Sequence, residues 1–146
     1  MNSFITNNDG IVLKYIVGTD DFSIVGEVSS KIKKVLKQLN IDNKLIRRVA
    51  IATYEAEVNV AIHSLGGYIE VEIFENEIKI KIKDNGPGIK DTNLAMEKGY
   101  STASTKAREL GFGAGMGLPN MKRCSDEFII ESKFGEYTEL NMKFVK

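Results

Sequence analysis

The chain has 146 residues, 42% hydrophobic and 27% charged, the composition of one globular domain with enough material to bury a core. Twenty basic and twenty acidic side chains cancel, which excludes a general electrostatic pull toward nucleic acid or a membrane surface. Any bound anion must therefore be caught by a local device. The single Cys124 excludes an internal disulfide and a multi-cysteine metal site and reads as an inert thiol. The N-terminus MNSFITNNDG has no basic flank followed by an apolar run, and no stretch approaches the roughly 18 apolar residues of a membrane span. The expectation is one soluble, cytoplasmic domain over 1–146, without membrane or nucleic-acid contacts.

Residues 11–17 (IVLKYIV) are β-branched and apolar and predict a strand. From about Ser23 to Leu39, Ile24, Val25, Val28, Ile32, Val35, Leu36 and Leu39 recur at helical spacing. Asp42 or Asn43 suits the cap of a second helix. That helix runs to about His63 through Leu45, Ile46, Val49, Ala52, Ala56 and Val60, and Gly66-Gly67 ends it. YIEVEIF and EIKIKIKD then alternate apolar and charged residues around a Glu75-Asn76 turn, which predicts a hairpin with a glutamate strand beside a lysine strand. A short helix is expected to start at Pro119, followed by strands at 127–133 and 137–144 joined around Gly135. Short connections between consecutive strands imply antiparallel pairing. The predicted fold is α+β, a two-layer sandwich with a mixed, mostly antiparallel sheet and helices on one face.

Between residues 84 and 120 lie both prolines and seven of the thirteen glycines. Four constellations bear on chemistry. In the second helix, Glu55, Asn59 and His63 follow one another at i, i+4 and i+8 and share a slowly rotating stripe. They fit a solvated polar face, or a site where one oxygen ligand holds a hydrated Mg²⁺ while a carboxylate positions a nucleophile. Zinc is disfavoured by a single histidine without a cysteine cluster. Asp84-Asn-Gly86-Pro-Gly88 follows a strand, as a tight turn or as an acceptor reading an exocyclic amine beside bare backbone. Gly111-Phe-Gly113-Ala-Gly115-Met-Gly117-Leu118-Pro matches neither the Gly-Lys-Ser/Thr phosphate loop nor G-x-G-x-x-G. Its amides nonetheless enter a helix N-terminus, where donors and dipole favour an anion. Thr138 opens the last strand.

In this order the four elements resemble the Bergerat-type ATP-binding domain of DNA gyrase, heat-shock chaperones, sensor histidine kinases and MutL, over about residues 10–145. Glu55-x-x-x-Asn59, Asp84-x-Gly86-x-Gly88, Gly113-x-Gly115-x-Gly117-Leu118 and Thr138 carry the resemblance. Asn59-x-x-x-His63 and the stretch from Gly115 to Phe128 are similar to the anti-sigma-factor serine/threonine switch kinases and their stressosome relatives. The resemblance implies ATP and Mg²⁺ as cofactors and Asn59 as the metal ligand. It implies Glu55 as the general base, and Asp84 on the adenine amino group with Thr138 supporting through water. Gly86 and Gly88 would stand beside the base and ribose, and Gly113, Gly115, Gly117 and Leu118 at the phosphates. Residues 89–112 would form a lid. Where some members carry a phosphate-reaching arginine, this chain has Gly113 or Ala114, and Lys106 and Arg108 are the nearest cations. His63 fits a structural or metal-proximal role. By the same resemblance the partners are a STAS-type antagonist as phosphoacceptor and a sigma factor or phosphatase-type regulator, with homodimerisation. The alternative is an ATP-binding module whose nucleotide state gates partner binding without phosphoryl transfer.

Overall fold

The computed structural model describes residues 2–6, 10–18, 24–63, 65–86, 94, 96, 97 and 117–146. In chain order the elements are β1 (Asn2–Thr6), β2 (Ile11–Val17), α1 (Glu27–Gln38), α2 (Asn43–His63), β3 (Gly67–Ile73), β4 (Glu77–Asp84), α3 (Gly117–Cys124), β5 (Glu127–Lys133) and β6 (Tyr137–Val145). Each element expected from periodicity is present. The addition is β1, whose NSFIT carries too short an apolar pattern to announce itself and pairs antiparallel with β2, Asn2 opposite Tyr15. Helix α1 starts later than its apolar periodicity suggests. Gly26 ahead of it has φ +103, outside the right-handed helical region, and so halts the helix on its N-terminal side. Asp42 caps α2 as expected, its Oδ2 accepting from the Lys44 N–H at 3.1 Å.

The strands form one sheet in the order β1-β2-β3-β4-β6-β5. All five pairings are antiparallel. The connections explain this. The helix pair α1–α2 carries the chain away from the end of β2 and back again, so β3 starts where β2 stopped. Beyond α3 the chain enters β5 running parallel to β4, but β6 lies between them and no described strands pair in parallel.

Alternation along the strands divides the two faces. Leu13, Tyr15, Ile69, Val71, Ile78, Ile80, Ile82, Leu140, Met142 and Phe144 are buried beneath the helices, each contributing about 1.5–3 kcal/mol relative to exposure. Helix α1 contributes Val28, Ile32 and Leu36, and α3 contributes Leu118, Met121 and Cys124. Helix α2 lies between them and is buried on more than one side, Val58 and Ala61 as well as Val49, Ala52, Ala56 and Val60. On the opposite sheet face the register sets Glu70 against Lys81 and Glu72 against Lys79. Lys81 makes its ion pair one strand over, with Glu139 at 3.2 Å. Arg48 of α2 fixes the far end of α3, donating from Nε to the Cys124 carbonyl at 2.8 Å and pairing with Asp126 at 3.1 Å.

Candidate functional site

Asp84 is the last residue of β4 and is buried, at 7% exposure. Its register partner on β6 is Thr138. Oδ1 accepts two backbone amides, Gly86 N–H at 3.0 Å and Thr138 N–H at 3.0 Å. No described residue bonds Oδ2. Burial pushes the Asp84 carboxyl above its ordinary range, and the two amide bonds only partly offset that. The carboxylate is thus held by one oxygen and offers the other. Two glycines make room for this arrangement. Gly67, opposite Asp84 in the register, lies so close to β4 that an added Cβ would collide with the Lys83 carbonyl. Gly86 has φ +113, and its Cβ would stand 3.0 Å from the Glu136 carbonyl oxygen, so bare backbone is required there by the chain itself. The Leu65 N–H bonds the Gly86 carbonyl at 3.0 Å and the Asn85 N–H bonds Gly66 at 2.9 Å. The end of β4 is thereby tied to the segment leaving α2.

Glu55 and Asn59 lie one turn apart on α2, both half-buried. The Glu55 carboxylate meets the start of α3: Oε2 is 3.4 Å from the place a Gly117 Cβ would take, and Asn120 Nδ2 donates to Oε1 at 3.4 Å. The Asn59 side chain makes no hydrogen bond with a described residue. The structure therefore gathers Glu55, Asn59 and Gly117 around one face of α2, and Asp84, Gly86 and Thr138 around the end of β4. Leu118 turns its side chain into the core, leaving its backbone amide as its contribution at the helix start. Gly88, Lys106, Arg108, Gly113 and Gly115, the bulk of the expected lid at 89–112, and the His63 side chain lie outside the described residues.

Three residues near the site have roles that the motifs do not announce. Glu57 is buried at 3% exposure and accepts from Gly26 N–H at 2.9 Å, Val28 N–H at 3.3 Å and Ser29 N–H at 3.1 Å. It caps α1 from a neighbouring helix, which Gly26 without a side chain cannot do. Burial pushes its carboxyl upward, against the pull of those amides. The available signal was position, since Glu57 falls on the buried stripe with Val49, Thr53, Ala56 and Val60. Asn120, one turn beyond Gly117, orients Glu55. Ser132 shares a 2.9 Å hydroxyl–hydroxyl bond with Thr138, so Thr138 reaches Asp84 through its backbone amide while its side chain faces β5.

The chain that carries this geometry has relatives among known proteins. The family model for the histidine kinase-like ATPase domain matches residues 20–144. This chain belongs to that family. Among its curated relatives is the serine/threonine-protein kinase RsbT of Bacillus subtilis, 34% identical over 112 residues, covering 74% of this chain and 78% of that protein. Anti-sigma F factors of Clostridium botulinum (strain Eklund 17B) and Clostridium novyi are 36% and 33% identical. They cover 67% and 74% of this chain and 69% and 76% of their own lengths. A chain of the SiaB–SiaC complex from Pseudomonas aeruginosa shares the fold at a TM-score of 0.59 and 14% identity, over 90% of this chain and 88% of that one.

The described residues of this histidine kinase-like ATPase domain fit a bound Mg·ATP by their own chemistry. Asp84 Oδ2 is a polar acceptor without a described partner at a strand end, as an exocyclic amine requires. The Asn59 carboxamide is half-buried and unengaged by described residues, with an oxygen suited to a hydrated Mg²⁺. Helix α3 opens with the amides of Gly117 and Leu118 before Pro119, which has none to offer. Among the described residues, no helix is long and apolar enough to cross a membrane.

Proposed function

We propose that the chain is an ATP-dependent serine/threonine switch kinase that phosphorylates a small STAS-type antagonist protein and thereby controls a regulatory partner, a sigma factor or a phosphatase-type regulator. The observation that carries this reading is the Glu55 carboxylate set against the first residue of α3. A carboxylate beside a helix start that would hold phosphates stands where a proton acceptor for the attacking hydroxyl is needed. In this reading Mg·ATP supplies the phosphoryl group. Asn59 holds the metal, Asp84 Oδ2 accepts from the adenine amino group, and Gly117 and Leu118 offer amides to the phosphates. Glu55 takes the proton of the attacking serine or threonine hydroxyl, and Asn120 keeps the carboxylate aimed. Phosphoryl transfer asks mostly for positioning and charge stabilisation, so this small set suffices. Lys106 or Arg108 would add the phosphate-facing cation, and Gly113 and Gly115 further amides. RsbT is named as a kinase and the anti-sigma F factors as regulators, which supports both halves of the proposal. A homodimer is part of the same proposal.

The test is transfer from γ-labelled ATP to each purified STAS-domain protein of the source organism. The expected product is a phosphoserine or phosphothreonine on one of them. ATP binding without transfer to any would contradict the kinase and leave an ATP-gated binding module.

A further inference from the structure

A groove of about 610 Å³ lies between helices α1 and α2. Lys33 and Lys37 line it from α1, and Arg47, Ile51, Tyr54 and Glu55 from α2. None of the three cations forms an ion pair with a described residue, and Glu55 is the one carboxylate among the described lining residues. Lys33 and Lys37 stand at i and i+4 on α1 and face Arg47 across the groove, an arrangement that repels and destabilises. In a chain whose charges cancel overall, a local excess of positive charge marks a surface that gains something from an incoming anion. Ile51 and Tyr54 remain 39% and 38% exposed between these cations. The wall therefore offers apolar contact as well as charge.

Position connects this groove to the chemistry. Arg47, Ile51, Glu55 and Asn59 follow one another at i+4 steps, so the groove and the candidate site share one stripe of α2. From Asn43 to Glu55 the stripe runs a little over three turns, roughly 18 Å, and ends on the carboxylate read above as the base. We propose that this groove is the docking channel for an acidic, partly apolar segment of the protein substrate, which it guides so that the phosphoacceptor hydroxyl meets Glu55. The inference rests on the kinase reading. A peptide segment suits the groove because three cations and the exposed Ile51 and Tyr54 share its walls along a length that one phosphate cluster would not use.

The experiment uses the full chain and the STAS-domain protein that wild type phosphorylates. Steady-state transfer is compared for wild type, for Lys33→Glu/Lys37→Glu/Arg47→Glu, and for the milder Lys37→Gln/Arg47→Gln, with ATP affinity followed by calorimetry. The triple variant is expected to raise the KM for the protein substrate on the order of tenfold or more, because like charges then oppose the segment. Its kcat at saturation and its ATP affinity stay within about twofold of wild type. The neutral variant falls between them, and only wild type shows a KM that climbs steeply with salt. An unchanged KM in both variants overturns the docking channel while leaving the kinase intact. Lost ATP affinity overturns it by assigning the groove to the nucleotide. A wild-type dimer that the variants dissolve without change in KM overturns it by assigning the groove to a second copy. Failure of wild type to phosphorylate any STAS-domain protein overturns the kinase reading itself, and the channel with it.

Discussion

At Asp84 the hydrogen bonding is divided between two oxygens, and that division predicts the behaviour of its nearest analogue. Oδ1 is occupied by the Gly86 and Thr138 amides. An asparagine at 84 would keep its oxygen there and turn its NH₂ to the position of Oδ2, so a donor would face the adenine amino group. Asp84→Asn is therefore expected to abolish measurable ATP binding in calorimetry. Its thermal midpoint should stay within a few degrees of wild type. The sign follows from burial: because the native carboxyl titrates above its ordinary range, its ionised form costs stability at neutral pH, and a neutral side chain relieves that cost. ATP affinity of the wild type should accordingly fall on acidification before an ordinary carboxylate would protonate. Normal ATP binding by Asp84→Asn would remove the adenine assignment. Glu57 gives the complementary case, structural rather than nucleotide-binding. Glu57→Ala strips α1 of the acceptor for three amides and is expected to cost about 1–3 kcal/mol in urea unfolding. The places of Glu55 and Asn59 on α2 and of Asp84 at the end of β4 were legible in the sequence, because helical spacing and strand alternation fix them. The cap by Glu57 and the use of the Thr138 amide were not, since each joins residues at least 28 positions apart in the chain.

Among the elements, α2 and the β3–β4 hairpin were the most readable, because a long apolar period and strict alternation each leave little choice of structure. β4 occupies 77–84 as its alternation indicates. β1 escaped because five residues with a polar context carry no comparable pattern, and its strand character comes from pairing with β2. The late start of α1 escaped because the apolar spacing continues through Ile24 and Val25, whereas backbone conformation at Gly26 decides the boundary. Glycine also decides the turn after β4. Gly86→Ala places a side chain at φ +113 and against the Glu136 carbonyl, and is expected to cost about 1–3 kcal/mol. ATP affinity should weaken with it, because the Gly86 amide is one of the two that hold Asp84. A variant with wild-type unfolding midpoint and affinity would show that the turn relaxes without consequence.

For the whole molecule, the described strands form an antiparallel sheet that carries the three described helices on one face, and the two halves of the candidate site come from distant parts of the chain. Glu55 and Asn59 come from α2, Gly117 from the start of α3, Asp84 and Gly86 from the end of β4, and Thr138 from the start of β6. Sequence order alone shows these as four separate motifs; the sheet order β4-β6 and the packing of α3 on α2 bring them together in two groups. The central claim is that this assembly moves a phosphoryl group with Glu55 as base. Its most direct test is single-turnover transfer from γ-labelled ATP to the phosphorylated STAS-domain protein, comparing wild type with Glu55→Gln under saturating nucleotide. The predicted result is a transfer rate lowered about 10²–10⁴-fold with ATP affinity within about threefold of wild type. Transfer at an undiminished rate by a Glu55→Gln protein that binds ATP normally would contradict it.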